Sequence, residues 1–360
     1  MNKNWEMKKL GEVCTLQRGF DLPKNSRTAG NFPLVSSSGI IDTHEIWKVK
    51  APGVVTGRSG SIGNVFYIED DFWPLNTVLY IKDFHKNDVR FVYYLLTQID
   101  LKKYSSGTGV PTLNRNNVHE EIISIPKSLT EQQRIVDILD ETFAAIDKVK
   151  ENAEKNLQNS RELFESYLQS VYTNPRDDWD KKTLNEISEN LDNKRVPITK
   201  NKRKSGIYPY YGASGIVDYV DEYIFDEELL LVSEDGANLL ARSTPIAFSV
   251  SGKIWVNNHA HILRFKNMVT QKFVEMFFAS IKLDEYITGT AQPKLNQSAL
   301  NSIIIPYPPL AEQQSIVAKL DALSSETKRL EEIYQQKLAA LDELKKSVLQ
   351  KAFNGELTGA

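Results

Sequence analysis

One stretch of this chain is written twice, and that constrains the fold more than any other feature. Residues 91–140 carry Phe91-Val92, Leu101, Tyr104, Gly107-Thr108, Pro111, Leu113-Asn114, Pro126, Leu129, Glu131-Gln132-Gln133, Ile135-Val136 and Leu139-Asp140. About 181 residues later the series returns as Phe273-Val274, Leu283, Tyr286, Gly289-Thr290, Pro293, Leu295-Asn296, Pro306, Leu310, Glu312-Gln313-Gln314, Ile316-Val317 and Leu320-Asp321. The openings of the halves match as well: Trp5, Leu10 and Val13 against Trp179, Leu184 and Ile187, then Pro33, Ser38-Gly39-Ile40 and Asp42 against Pro209, Ser214-Gly215-Ile216 and Asp218. Solenoid units run roughly 20–50 residues, so this period belongs to a duplicated module. Two copies in one chain make pseudo-two-fold symmetry available.

At 360 residues the chain exceeds what one core usually serves. Each half divides in two. Its first part mixes short β-branched and aromatic runs with Gly, Ser and Asn punctuation: Gly53–Thr56, Val65–Ile68 and Thr77–Ile81, matched by Leu229–Val232, Ile246–Phe248 and His261–Phe265. These spacings predict strands of a curved, β-rich domain, with a helix at Val89–Leu101 and its copy at Thr270–Leu283. The second part of each half is a long helix. Thr130-x-x-Gln133 has the form of a capping box, and few breakers follow until Asn174-Pro175. The partner begins at Glu312, after Pro308-Pro309, and runs to Asn354-Gly355.

Apolar residues follow 4-3 spacing along both helices. The first offers Ile135, Leu139, Ile146, Val149, Ala153, Leu157, Phe164, Leu168 and Val171; the second Ile316, Leu320, Leu323, Thr327, Leu330, Tyr334, Leu341, Leu344 and Val348, with a lapse at Lys337. At 1.5 Å per residue each helix is roughly 60 Å long, more than a domain of this size can cover. The expected fold is therefore α+β: two β-rich globular domains, residues 1–129 and 176–309, joined by an antiparallel coiled-coil pair, residues 130–175 and 310–360, that acts as a spacer.

Charge and cysteine content narrow the function classes. The net charge of −3 is unevenly spread: Lys plus Arg minus Asp plus Glu is +3 over residues 1–129, −5 over 130–178, 0 over 179–309 and −1 over 310–360. The acid sits in the connecting segment. Residues 194–204 hold Lys194, Arg195, Lys200, Lys202, Arg203 and Lys204 without one acid, a pattern that suits an anion-contacting or a solvated loop. The single cysteine, Cys14, excludes an internal disulfide and any zinc site built on cysteines, and suits the cytoplasm. No signal peptide is visible and no apolar run is long enough to span a membrane.

Catalytic patterns are missing. The chain has no Gly-x-x-x-x-Gly-Lys-Ser/Thr phosphate loop and no Asn/Asp-Pro-Pro-aromatic motif of an amino-methyltransferase. Gly57-Arg58-Ser59-Gly60-Ser61-Ile62-Gly63 lacks dinucleotide spacing and reads as a turn presenting short polar side chains. His259 and His261 alternate on a strand, but Thr77 and Leu79 stand there in the first copy, and no carboxylate cluster accompanies them in the linear sequence. They read as part of an ordinary half-buried strand, so neither a metal site nor an enzyme is expected.

With the repeat, the long helices and the junctions in hand, the whole chain resembles the DNA-specificity subunit of Type I restriction–modification systems. The residues that carry the resemblance are Ile125-Pro126 with Leu129–Gln133, Ile305–Gln314, Gly289–Asn296 with its weaker copy Gly107–Asn114, and the tail Leu349–Leu357. The resemblance implies two target-recognition domains, each reading one half of a split double-stranded DNA sequence. It also implies helices that dock two modification (methyltransferase) subunits and, where a system has them, restriction subunits. S-adenosylmethionine would bind the modification subunits, leaving this chain without a cofactor. The alternative is a two-headed protein-interaction scaffold with no nucleic-acid role. Near-neutral charge implies weak DNA affinity for the chain alone, because Lys and Arg contacts to phosphates dominate such binding.

Phosphate positioning and base reading need different side chains. The basic residues of the 194–204 block, with Lys102, Lys103 and Arg115, suit phosphates. Arg58, Ser59 and Ser61 in the first head, and Glu234, Asp235 and Asn238 in the second, sit on glycine-punctuated loops and suit base edges, since Arg pairs with guanine and a carboxylate accepts from cytosine. The Ser/Thr/Gly loops Tyr104–Thr112 and Tyr286–Lys294 are further candidates through Ser105, Ser106, Thr108 and Thr112, and through Thr288, Thr290, Gln292 and Lys294. Asn114 and Asn296 follow those loops. The copies share Asn76/Asn258, Gly60/Gly236 and Pro111/Pro293 yet differ at the loop tips.

Overall fold

A computed structural model describes residues 4–107, 111–289 and 292–357. The chain divides into two compact units, Met1–Glu154 with Gln335–Ala360 and Lys155–Tyr334. Each unit therefore contains one β-rich head and a portion of both long helices.

The heads share one plan, with an additional strand in one sheet of the second. In the first unit Trp5–Lys9 pairs antiparallel with Ile122–Pro126, closing the ends of the head on each other. A four-stranded antiparallel sheet runs Thr15–Arg18, Val78–Asp83, Gly53–Gly57, Val65–Ile68. A second sheet runs Gly39–His44, Phe32–Ser36, Trp73–Pro74, with the last pair parallel. The second unit has the same plan. Asp180–Thr183 pairs with Ile304–Tyr307; one sheet runs Ser188–Asn190, Ala260–Phe265, Leu229–Ser233, Ala247–Val250. The other runs Gly215–Val220, Ser205–Gly212, Lys253–Val256, Phe225–Asp226, again with a parallel pair at its centre. The central strands Gly53–Gly57 and Leu229–Ser233 are buried at every position, as apolar runs without alternation require.

A helix covers one sheet in each head. Val89–Gln98 is capped by Asp88, whose carboxylate accepts from Phe91 N at 2.8 Å; Met268–Ser280 is capped by Asn267, which accepts from Thr270 N at 2.9 Å. The first ends three residues short of the expected Leu101, which begins a separate 3-10 turn, Leu101–Tyr104.

The long helices are Leu129–Thr173 and Leu310–Phe353. The first starts one turn-position earlier than Thr130 as a cap would set it: Ser128 is the cap, its hydroxyl accepting from Glu131 N at 3.2 Å. A Ser-x-x-Glu box at 128–131 thus displaces the expected one, because Leu129 already has helical geometry. Inside each unit the two helices pair antiparallel: Lys150 meets Asp342 at 2.9 Å and Lys345 meets Asp147 at 2.8 Å in the first, Arg161 meets Glu331 at 2.6 Å in the second.

Two positions of the expected stripes lie outside the seam. Val149 and Leu344 are 38% and 48% exposed, while their neighbours Lys150 and Lys345 are half-buried, with Lys345 lying 4.9 Å over the Phe143 ring. A straight helix drifts by roughly 20° per heptad against a strict seven-residue repeat. Over several heptads that drift hands the contact to the next residue, whose aliphatic stem covers the seam while its ammonium reaches a carboxylate of the facing helix.

Each head core also takes in helix ends. Ile135, Leu139, Leu349, Ala352 and Phe353 belong to the core of the first unit, and Leu168, Tyr172, Val317 and Leu320 to that of the second. Phe353 packs on Phe91 at 5.3 Å between ring centroids; Tyr172 packs at 5.1 Å on Phe273, the repeat of Phe91.

Candidate nucleic-acid interface

The candidate loops in each head are tied together by one repeated backbone framework. In the first head Ser59 bridges to Thr112, and Leu113 N donates to Arg58 O at 2.8 Å. In the second Asp235 bridges to Lys294, and Leu295 N donates to Glu234 O at 2.8 Å. A third loop joins from the next strand: Arg58 N donates to Thr77 O, and Glu234 N to His259 O, both at 2.9 Å. Gly60 and Gly236 hold the turn after the bridge at φ of +85° and +107°, a region a Cβ disfavours, which accounts for the glycine at this position in both copies.

On this common framework four positions correspond by backbone pairing and differ in chemistry: Arg58 with Glu234, Ser59 with Asp235, Thr77 with His259, and Thr112 with Lys294. In the first head Arg58 donates to Asn76 O at 3.2 Å, and Thr77 Oγ1 accepts from Ser37 N at 3.3 Å, drawing the 36–39 turn alongside. Ser61 is exposed at the tip of the same turn. Ser105 and Ser106 form a two-residue strand against Thr112–Leu113. Thr108 and Thr290 lie outside the described residues.

The second head builds its edge on charge. Glu234 is buried and fully engaged: Arg195 Nη1 donates to its Oε2 at 2.5 Å and Lys294 Nζ lies 3.1 Å from its Oε1. Arg195 also donates to Ala260 O at 2.9 Å and lies 3.4 Å from Asp192. His261, fully buried, faces Asp192 Oδ2 through Nδ1 at 2.5 Å and Leu295 O through Nε2 at 2.7 Å. The buried ring thus joins a carboxylate of one loop to a backbone carbonyl of another. Burial opposes the Asp192 carboxylate, but the His261 hydrogen bond and charge, the Ile262 N–H and Arg195 together hold its pKa below the ordinary value. Burial likewise opposes Glu234, and Arg195, Lys294 and His261 outweigh it, again lowering the pKa.

The linear sequence offered no carboxylate partners for the histidines, and here the fold corrects that reading. Asp192, Glu234 and His261 come together with ligand atoms within 4.8 Å of one another. They are distant in the chain and meet because the strands Ser188–Asn190, Ala260–Phe265 and Leu229–Ser233 are neighbours. Arg195 and Lys294 supply the positive charge this cluster needs.

The 194–204 block divides. Arg195 and Arg203 are half-buried and work inside the head. Arg203 donates to Ile198 O at 3.1 Å and to Asp218 at 3.1 Å and lies 4.5 Å over the buried Tyr210 ring. Lys194, Lys200, Lys202 and Lys204 are exposed, and Lys204 is 3.9 Å from Asp221. Among the other candidates, Lys103 pairs with Glu121 at 2.8 Å, while Lys102, Arg115 and Gln292 are exposed. Three asparagines are used locally. Asn114 caps the helix Arg115–His119 by accepting from Asn116 N at 3.0 Å, and Asn296 caps Gln297–Ser302 by accepting from Ala299 N at 2.9 Å. Asn238 closes its own loop, accepting from Ser243 Oγ at 2.9 Å and Thr244 N at 3.0 Å. Thr288 exchanges backbone hydrogen bonds with Lys294 at 2.8 and 2.9 Å.

Two features escaped the sequence reading. His259, set aside there, is 49% exposed in its side chain, with Nδ1 2.9 Å from Asp235. The first head also owns a basic turn. Lys24–Ser26 and Lys200–Lys202 are matching 3-10 turns, each followed by an arginine whose Nε donates backward, Arg27 to Leu22 O at 3.3 Å and Arg203 to Ile198 O at 3.1 Å. The signal was present as Lys-Asn-x-Arg at 24–27 and at 200–203, offset like Pro33 and Pro209.

Known proteins place this architecture. The model of the Type I restriction modification DNA specificity domain matches residues 2–157 and again 176–339. A putative type I restriction enzyme specificity subunit of Haemophilus influenzae is 32% identical over 210 residues, which are 53% of this chain and 52% of that protein; the match thus spans about half the relative's length. The specificity subunit of the EcoprrI type I restriction enzyme of Escherichia coli is 24% identical over 335 residues, covering 89% of this chain and 76% of that one. The HsdS subunit from Thermoanaerobacter tengcongensis superposes with a TM-score of 0.64 at 18% identity, covering 99% of this chain and 98% of that one. A chain solved in work on assembly and conformational transition of the type I R-M system superposes with a TM-score of 0.77 at 16% identity, covering 99% of both. At such identities the likeness speaks to the fold, and the twofold match of the domain speaks to ancestry: the chain belongs to the Type I restriction–modification DNA specificity family.

Proposed function

We propose that this chain is the DNA-reading, non-catalytic subunit of a cytoplasmic Type I restriction–modification assembly. Each head reads one half of a bipartite duplex target. The long helices space the half-sites and dock two modification subunits, which carry S-adenosylmethionine, together with restriction subunits where the system has them. The observation that carries this reading is the shared loop framework with unlike side chains, Ser59 and Thr112 against Asp235 and Lys294. A scaffold that keeps its backbone and changes its donors and acceptors suits two different base sequences. The near-neutral charge also fits: few phosphate contacts make weak affinity alone, and a partner closing on the duplex supplies the remainder.

The test is a head exchange. Residues 1–125 are replaced by the corresponding head of a relative, the full system is expressed, and methylated sites are mapped across the genome. One half of the recognised sequence should change while the other stays. Simultaneous change of both halves overturns the two-reader assignment. Absence of any methylation dependence on the chain, with no duplex binding by the assembled complex, returns the protein to the interaction-scaffold alternative.

A further inference from the structure

We infer that in the second head Lys294 reads an acceptor-rich base edge, guanine by chemistry, while Glu234 positions it and does not read. This inference rests on the DNA-reading function proposed above. The case is one of free valences. Glu234 is buried, one oxygen held by Arg195 at 2.5 Å and the other by Lys294 at 3.1 Å. To accept from a cytosine amine it would have to compete with buried Arg195 for the same carboxylate, a costly exchange. Both Asp235 oxygens face His259 Nδ1, at 2.9 and 3.0 Å. The carboxylates are therefore engaged within the head.

The ammonium that Glu234 holds keeps donors free. An ammonium has three N–H groups, and Glu234 accounts for one of those on Lys294, whose side chain is 52% exposed. Asp235 holds the half-exposed His259 ring beside it through Nδ1. The backbone beneath is rigid. Asp235 bridges to Lys294, Glu234 N donates to His259 O, and buried His261 ties Leu295 O to Asp192 directly beside Lys294. The head thus offers an exposed ammonium, oriented by an acid that is itself anchored. Guanine presents O6 and N7 as neighbouring acceptors in the major groove. In the first head Thr112 takes this position, so the assignment concerns one half-site alone.

An ammonium also suits a phosphate, and the experiment separates the two. The full chain assembled with its modification subunits is titrated with duplexes carrying its mapped target, and with the same duplexes bearing 7-deazaguanine at single positions of the second half-site. For the wild type, one replacement should weaken binding about tenfold, in keeping with ~1–3 kcal/mol for a good base contact. K294Q should lose that sensitivity and relax preference at that position, leaving the first half-site intact. E234Q should weaken binding without changing which bases are preferred. If K294Q weakens all sequences equally and lowers the salt slope by about one, Lys294 contacts a phosphate and the inference fails. If E234Q alters base preference while K294Q does not, the carboxylate is the reader and it fails equally. A wild-type complex that recognises no bipartite sequence would instead remove the proposed function.

Discussion

Gln132 Oε1 accepts the backbone N–H of Asp88 at 2.9 Å while its amide donates to Asn87 Oδ1 at 2.8 Å, so that one buried side chain fastens the start of a long helix to the head before it. Gln313 repeats the arrangement with other partners. Its Oε1 accepts from Thr270 Oγ1 at 2.9 Å and its amide donates to Pro308 O at 2.8 Å. Gln132 and Gln313 are 2% and 0% exposed. The middle residue of the recurring Glu-Gln-Gln is therefore an internal latch.

Replacing either glutamine by leucine should be costly, since it strands the groups that faced the amide. An unsatisfied buried polar group costs ~1–3 kcal/mol, and each variant strands two. Chemical denaturation should show Q132L and Q313L destabilised by ~2–4 kcal/mol. The neighbouring exposed Gln133→Ala should stay within about 0.5 kcal/mol. A neutral Q132L would remove the latch.

The helix ends that enter the head cores should matter as much as strands do. Phe353 is buried against Phe91, so Phe353→Ala should cost ~3–5 kcal/mol in the first unit. Tyr172→Phe keeps the ring on Phe273 and removes only the hydroxyl donating to Phe273 O at 2.8 Å, for about 1 kcal/mol in the second unit. Hydrogen exchange resolved by unit would check both. A mild F353A would mean that the helix end lies loosely on the head.

Stability of the first unit should fall on acidification through His119. Its Nε2 accepts from Leu16 N at 2.9 Å, which only the neutral ring can do. Burial, then the nearby charge of Arg115, lowers its pKa below the ordinary 6.5. A base with a lowered folded pKa is neutral in both states above 6.5, where this contribution is fully present. As pH falls below 6.5 and through the folded value, the unfolded chain takes up the proton first and the contribution is lost. Protection of the Leu16 amide, corrected for intrinsic exchange, should decline over that window in the wild type and less in His119→Gln. Equal profiles would exclude this role.

Cys14 should be silent toward thiol reagents while the first head is folded. The side chain is fully buried, and burial pushes its thiol up to about 12. The thiolate is the reacting species, so labelling near neutral pH should follow opening of the head. Stoichiometric labelling without denaturant, at a rate independent of stability, would contradict this.

Linear sequence alone determined the architecture. The duplicated series, the strand runs at Gly53–Thr56 and Leu229–Val232, and the uninterrupted periodicity before Asn174-Pro175 and Asn354-Gly355 are local signals, and local signals specify elements. The loops that meet were legible too, since glycine punctuation recurred at Gly60 and Gly236. What each side chain does there was decided by tertiary structure. Glu234 and Asp235 look like readers in a linear string because a carboxylate on a loop suggests a free acceptor. Only strand adjacency brings Arg195, Lys294, His259 and His261 to those carboxylates from tens of residues away. A carboxylate's availability depends on which cations surround it, and those neighbours are set by sheet order rather than by spacing along the chain.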